Sequence, residues 1–137
     1  MDAESLLQHA REVFGSDSYA ALTGVEIVSA GDHEAVCTLT LGSCHSNARG
    51  VAMGGVLFTM ADFAAAVASN TGVEVKLDWV SLNSNIHYLA PAKEGATLTA
   101  HSQPLKIGHT TALYQTEIKC LDDGKIIAIA ETTMMHV

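Results

Sequence analysis

The stretch GGVLFTMADFAAAVASN, residues 54–70, holds a single charged side chain, Asp62. Its Ala, Leu and Met content favours a helix, and its length allows four turns or more. Two glycines, Gly54 and Gly55, open it. A helix apolar nearly all round must be buried on most sides. One flat sheet face cannot cover it. The pattern therefore predicts either a sheet that wraps the helix or a partner chain that closes the far side.

The flanks supply that sheet. Towards the N-terminus, Ala3 to Phe14 places Leu6, Leu7, Ala10, Val13 and Phe14 at helical spacing, and Gly15 ends the run. Val25 to Ala30 and Glu34 to Leu41 are short β-rich runs joined by Gly31-Asp32-His33, a hairpin pattern. Gly42 to Met53 is polar and aperiodic, and long loops of this kind are often functional. Beyond Gly72 the chain reads as β throughout. Val73 to Leu89 is one long strand or a bent pair, with Val80, Leu82, Ser84, Ile86 and Tyr88 on one face. After a turn at Lys93-Glu94-Gly95, Ala96 to Ile107 is a strand in which Pro104 marks a bulge or an edge. Thr110 to Leu121 alternates, with Ala112, Tyr114, Thr116, Ile118 and Cys120 facing one way. Asp122-Asp123-Gly124 is a hairpin signal, and Ile126 to Val137 is the last strand. The fold class is α+β: one antiparallel sheet and one very apolar helix.

At 137 residues and 48% hydrophobic, the chain has the length of one domain and the material for a core. A net charge of −8 with no basic run argues against nucleic acid and against an anionic membrane surface as partners. No apolar stretch reaches bilayer length, and the acidic start, with Asp2, Glu4 and Glu12, has no signal region. Cys37, Cys44 and Cys120 form no CxxC and leave one unpaired, which reads as a reduced, cytoplasmic protein whose cysteines serve as small apolar residues. Seven scattered histidines, with no HExxH and no Cys/His pair at ligand spacing, give no metal site. The segment GVAMGG, residues 50–55, lacks the Lys and Ser/Thr of a phosphate loop. Cys44-His45 has no third partner for nucleophilic catalysis.

Asp62 is the residue that does not fit. At about 100° per residue it lies away from the stripe of Leu57, Ala61, Ala64 and Ala68, on a face with Gly55, Phe58, Thr59, Ala66 and Ser69. Two readings stand side by side. Either Asp62 points to solvent or bonds a backbone group, or it is a desolvated carboxylate with raised pKa, suited to act as base or nucleophile. Gly54-Gly55 presents free N–H groups at the positive end of the helix, suited to an oxyanion. An ordinary glycine N-cap reads the same way.

The stretch NARGVAMGGVLFTMAD, residues 47–62, resembles the signature of hotdog-fold acyl-CoA thioesterases of the phenylacetate-degradation (PaaI-like) type. The stretches SLNSNIHYLAPAK, residues 81–93, and KIGHT, residues 106–110, resemble that family's strand, proline turn and following turn. The likeness implies a hotdog fold, a curved antiparallel sheet wrapped around one long central helix. It implies a single domain over residues 1–137, with an N-terminal helical segment at 1–20 and the hotdog core at 21–137. It implies a homodimer with shared active sites, usually assembled into a homotetramer. The implied reaction hydrolyses an aryl or medium-chain acyl-CoA to free acid and coenzyme A, without bound cofactor or metal.

By the same likeness, Asp62 is the catalytic carboxylate, base or nucleophile. The Gly54 N–H polarises the thioester carbonyl, Asn47 holds the thioester or water, and Ser81 positions water from the subunit that supplies Asp62. Substrate and CoA contacts fall on Gly55, Phe58, Tyr88, Leu89, Ala90, Pro91, Ala92, Lys93, Lys106, Gly108, His109 and Thr110. An apolar acyl pocket is expected near Phe58, Phe63 and Tyr88. Lys93, Lys106 and Arg49 are cations for the CoA phosphates. Met53 stands where the family signature has His, and it donates no hydrogen bond. His45 in the same loop is either a substitute or a solvated loop histidine. Two alternatives remain at this stage: a non-catalytic acyl-CoA binding module, and a hydratase or dehydratase of acyl thioesters, which would pair an acid with a His.

Overall fold

The computed structural model describes all residues from Met1 to Val137. The elements run α1 (Ala3–Phe14), α2 (Ser18–Thr23), β1 (Glu26–Gly31), β2 (Glu34–Thr40), a 3-10 turn (Ser43–His45), α3 (Gly54–Ser69), β3 (Trp79–Tyr88), β4 (Thr97–Ile107), β5 (Thr111–Cys120) and β6 (Ile126–His136). The six strands form one antiparallel sheet in the order β1-β2-β4-β5-β6-β3. Helix α3 touches all six strands, so the sheet curves around it in the hotdog arrangement. No helix is long and apolar enough to cross a membrane.

The core forms where the predicted faces meet. Leu57, Ala61, Ala64 and Ala68 of α3 are buried, as are Ala112, Tyr114, Thr116, Ile118 and Cys120 of β5. The small alanines let α3 lie close to the sheet, and Met60, Phe63 and Val67 fill the remaining space. Pro104 sits at a register shift between β4 and β5, the bulge its missing N–H predicts. Asp122-Asp123-Gly124 turns β5 into β6, with Gly124 at φ 72°.

Four local readings need correction. The bulge between Ser81 and Asn83 breaks the alternation of β3, so exposed Val80 and Leu82 do not share the face of Ser84 and Ile86. Helix α2 was not expected: it is only six residues long, too short for a periodic signal, and is set by Asp17 as N-cap and left-handed Gly24 as C-cap. Residues 73–78 are not strand. Asn70 holds that segment in a loop, accepting from the Asp78 and Trp79 N–H groups at 2.9 and 3.0 Å and donating to the Ala66 and Trp79 carbonyls at 2.9 and 3.2 Å. Ser69, assigned to the open face of α3, is buried beneath this loop.

Strand β3 closes one end of the sheet order, so one of its backbone edges is unpaired. It carries no charged residue and no proline, and Val80 and Leu82 on it are exposed.

Candidate active site

The first turn of α3 is built by its flanking loop. Asn47 Oδ1 accepts from the Arg49 and Val51 N–H groups at 2.9 and 3.3 Å, and its backbone N–H donates to Val51 O at 2.7 Å. Gly50 completes the turn at φ 80°, a left-handed conformation that suits glycine. Met53 caps the helix by donating its N–H to His45 O at 2.9 Å and accepting from Val56 N at 3.0 Å. The N–H groups of Gly54 and Gly55 have no partner in the chain. They are the orphan donors of a helix start, at its positive end.

Tyr88, the last residue of β3, fixes this turn from the other side. Its hydroxyl donates to Gly54 O at 3.1 Å. Its ring lies so close that a Cβ on Gly54 would come within 2.9 Å of Tyr88 Cζ. Glycine is thus required by a close approach rather than by backbone conformation. Tyr88, Gly54, Asn47, Leu57 and the run Leu89-Ala90-Pro91 line a cleft of about 480 Å³.

Asp62 lies on the open face of α3, beside Phe58 and Gly55, which are also exposed. The residue is exposed, but surrounding protein partly buries its carboxyl. This burial raises its pKa above the ordinary aspartate value, the Ser81 hydroxyl partly opposes the shift, and the negative charge of Asp17 adds to it. Ser81 Oγ donates to Asp62 Oδ1 at a long 3.4 Å and lies 3.5 Å from Met134 Sδ. The β3–β6 register shifts between Ser81 and Asn83, a bulge beside the carboxylate.

Gly54 and Asp62 are eight residues apart on one helix, or about 12 Å at 1.5 Å per residue. Each would have to reach within about 3 Å of one reacting carbonyl. On one chain the two lie well apart along the helix. One chain therefore carries two separate features, unpartnered N–H groups at the start of α3 and a partly buried carboxylate at its middle.

A family model described as the thioesterase superfamily matches residues 49–127. The chain belongs to the thioesterase superfamily. It is 34% identical over 111 residues to acyl-coenzyme A thioesterase PaaI of Escherichia coli, covering 81% of this chain and 77% of the relative. It is 30% identical over 129 residues to human acyl-coenzyme A thioesterase 13, covering 90% and 91%. The solved structure of Escherichia coli PaaI superposes with a TM-score of 0.87 at 28% identity, over 98% of this chain and 95% of that one. A Streptococcus pneumoniae hypothetical thioesterase solved with coenzyme A superposes at TM-score 0.81 and 28% identity, over 93% and 96%. The chain is a PaaI-like thioester hydrolase of hotdog fold.

The residues expected at the site of this thioesterase fall into separate groups. Tyr88, Leu89, Ala90, Pro91, Ala92 and Lys93 lie at the end of the sheet where α3 begins, next to Asn47 and Arg49. Ala92 is buried and its carbonyl accepts from Ala52 N at 2.8 Å, so it anchors the loop rather than offering a side chain. Lys106, Gly108, His109 and Thr110 lie at the opposite end, where β4 turns into β5. The expected acyl pocket is also divided. Tyr88 faces the cleft at the start of α3, Phe58 is exposed, and Phe63 is buried against Phe14 on the side of the N-terminal helices.

His45 is neither a substitute for the missing His nor a solvated residue. It is 7% exposed, with Nδ1 accepting from Gly42 N at 2.9 Å and Nε2 donating to Thr23 O at 2.7 Å, so both ring nitrogens are used in holding the loop. Met53 is 58% exposed beside the free N–H groups. Cys37 and Cys120 are buried, and burial pushes the Cys37 thiol up to about 12, whereas Cys44 is exposed. Sequence reading missed Asn70 as a positioning residue, since it reads simply as the helix end. It fixes where β3 starts and hence where Ser81 meets Asp62.

Proposed function

We propose that two copies of this chain form a shared site that hydrolyses an acyl-CoA thioester, carrying an aryl or medium-chain acyl group, to the free acid and coenzyme A. The observation that carries this reading is the roughly 12 Å between the Gly54 N–H, the donor half, and Asp62, the acid half, on one α3. Asp62 of one copy takes a proton from water, held near Ser81, as the water oxygen adds to the thioester carbonyl. The carbonyl oxygen becomes an oxyanion facing the Gly54 N–H of the other copy. The C–S bond then breaks, and the CoA thiolate leaves with the proton. Asn47 Nδ2, which has no partner in its own loop, is available to the thioester. With Met53 contributing no side-chain donor, oxyanion stabilisation falls to the backbone.

The same pairing would join the two groups of CoA-contact residues, which one chain holds at opposite ends of its sheet. Arg49, Lys93 and Lys106 form no ion pair in the chain and are free for phosphates. The names of the relatives, acyl-coenzyme A thioesterases, support the substrate class. The free edge of β3 supports a dimer, and the tetramer belongs to the same reading. Three free cysteines suit a reducing, cytoplasmic setting.

The test is thiol release from acetyl-, hexanoyl-, palmitoyl-, phenylacetyl- and benzoyl-CoA, with Asp62→Asn beside the wild type. Loss of the general base should lower kcat/KM by about 10²–10⁴. Unchanged turnover in the variant would remove Asp62 from the mechanism. Binding without turnover by the wild type would make the protein an acyl-CoA binding module instead.

A further inference from the structure

The Asp62 carboxyl has one side-chain partner, the Ser81 hydroxyl, and that hydroxyl has a second neighbour in Met134. Ser81 and Met134 stand directly opposite each other in the β3–β6 ladder, and the ladder slips immediately after this pair. Met134 is 1% exposed and pairs on its other side with Ala112 of β5, so its place in the sheet is fixed from both flanks. Ser81 and Asp62 are exposed, so water reaches both. Ser81 Oγ therefore stands between a buried thioether, 3.5 Å away, and the carboxyl oxygen, 3.4 Å away.

The hydroxyl carries one hydrogen and two acceptor positions, whereas the thioether only accepts. The 3.4 Å separation from Asp62 is longer than an ordinary O–H···O bond of about 2.5–3.0 Å. Sulfur is a larger atom than oxygen, so 3.5 Å to Met134 Sδ is the closer fit of the two. A water that adds to a thioester carbonyl must turn a lone pair towards the carbon, so both of its hydrogens need acceptors elsewhere. Asp62 accepts one. Ser81 can accept the other only while its own hydrogen points away from the water.

We propose that Met134 is a positioning residue: its thioether takes the Ser81 hydrogen, which leaves the Ser81 oxygen to accept from the attacking water while Asp62 takes the proton. The proposal rests on reading Asp62 as the base that activates water. Without Met134 Sδ, the hydroxyl would donate to Asp62, compete with water for the carboxylate and lower its basicity. The groups that act on Asp62 are the Ser81 hydroxyl on β3 and the charge of Asp17 at the start of α2. Met134, on β6, carries no charge.

Met134→Leu keeps the apolar volume and removes the acceptor, a swap that cores tolerate. It would be made in the wild type and in Ser81→Ala. Thiol release from the acyl-CoA that turns over fastest would be followed across pH, and the Asp62 carboxyl carbon titrated by NMR. In the wild-type background kcat should fall about 2- to 10-fold, with KM within about twofold. Both the kcat/KM midpoint and the NMR midpoint should move to lower pH. In the Ser81→Ala background the same substitution should change kcat by less than about twofold and move neither midpoint. Equal losses in the two backgrounds would make Met134 a packing residue, and unmoved midpoints in the wild-type background would overturn the proposal. The NMR titration needs no turnover. An inactive wild type with the shifted NMR midpoint would strike the hydrolase reading and leave the direction of the Ser81 hydroxyl as proposed. An active wild type with an unmoved midpoint would do the reverse.

Discussion

The start and the middle of α3 are held in opposite ways. At the start, every neighbour is committed. Asn47 closes its own turn, His45 uses both ring nitrogens, the Met53 N–H is bonded, and the Tyr88 hydroxyl grips the Gly54 carbonyl. The two glycine N–H groups and Asn47 Nδ2 are left over. At the middle, Asp62 has one long hydrogen bond and an open side. Donors that stabilise a developing charge gain from being fixed in advance. A base needs room for water and a pKa nearer neutrality, which partial burial and a loose partner provide.

The sharpest way to break this comparison is to separate the halves onto different chains. Gly54→Val pushes a branched side chain into the space of Tyr88 and covers the donor half, and it should cost about 10²–10³ in kcat. Asp62→Asn removes the acid half. Mixed after joint refolding, the two inactive variants should regain about a quarter of wild-type turnover, because each mixed dimer holds one intact composite site. No recovery, or a monomeric mass by light scattering, would mean that the halves never meet.

A smaller effect is expected at the lock itself. Tyr88→Phe removes one hydrogen bond, worth about 0.5–1.5 kcal/mol, from the peptide that carries the donor. The kcat should fall by about 2- to 10-fold with KM little changed. A rise in KM alone would make Tyr88 a substrate contact and nothing more.

The smallest effect concerns stability and pH. The folded-state pKa of Asp62 lies above its ordinary 3.8, so the folded chain holds that proton more tightly than the unfolded chain. Its contribution to stability is therefore full below 3.8 and is lost as pH rises through the raised value. At neutral pH Asp62→Asn should melt at or slightly above the wild-type temperature, although it is inactive. A marked fall in Tm would mean that the carboxylate is structural. In the wild type, kcat/KM should climb through a midpoint above 3.8 as Asp62 ionises.

What could be read in advance was what depends on local pattern. Helix α3 ends within one residue of its predicted limit, since Asn70 is its C-cap, and α1 is found as read. The alternation of β5 and the bulge at Pro104 are likewise properties of short segments. The oddity of Asp62 was legible because one charge in an apolar helix needs no structure to notice. Asn70 was not legible as a positioning residue, because its bonds to Asp78 and Trp79 form only after the chain turns back. Tyr88 had a strand face in the alternation, and nothing there indicated that its hydroxyl would reach Gly54, 34 residues earlier.

The bare edge of β3 has a consequence for the life of the chain between synthesis and assembly. Exposed strand edges are usually guarded by lysine, proline or a covering loop. β3 has ten residues without charge or proline, so under the proposed pairing a newly made copy presents a sticky template until another copy occupies it. Dilution, or a variant that weakens pairing, would raise the population of such solitary chains. The first sign would be turbidity rather than loss of helix, and chaperone demand in the cell would track the concentration of unpaired copies rather than the stability of the fold.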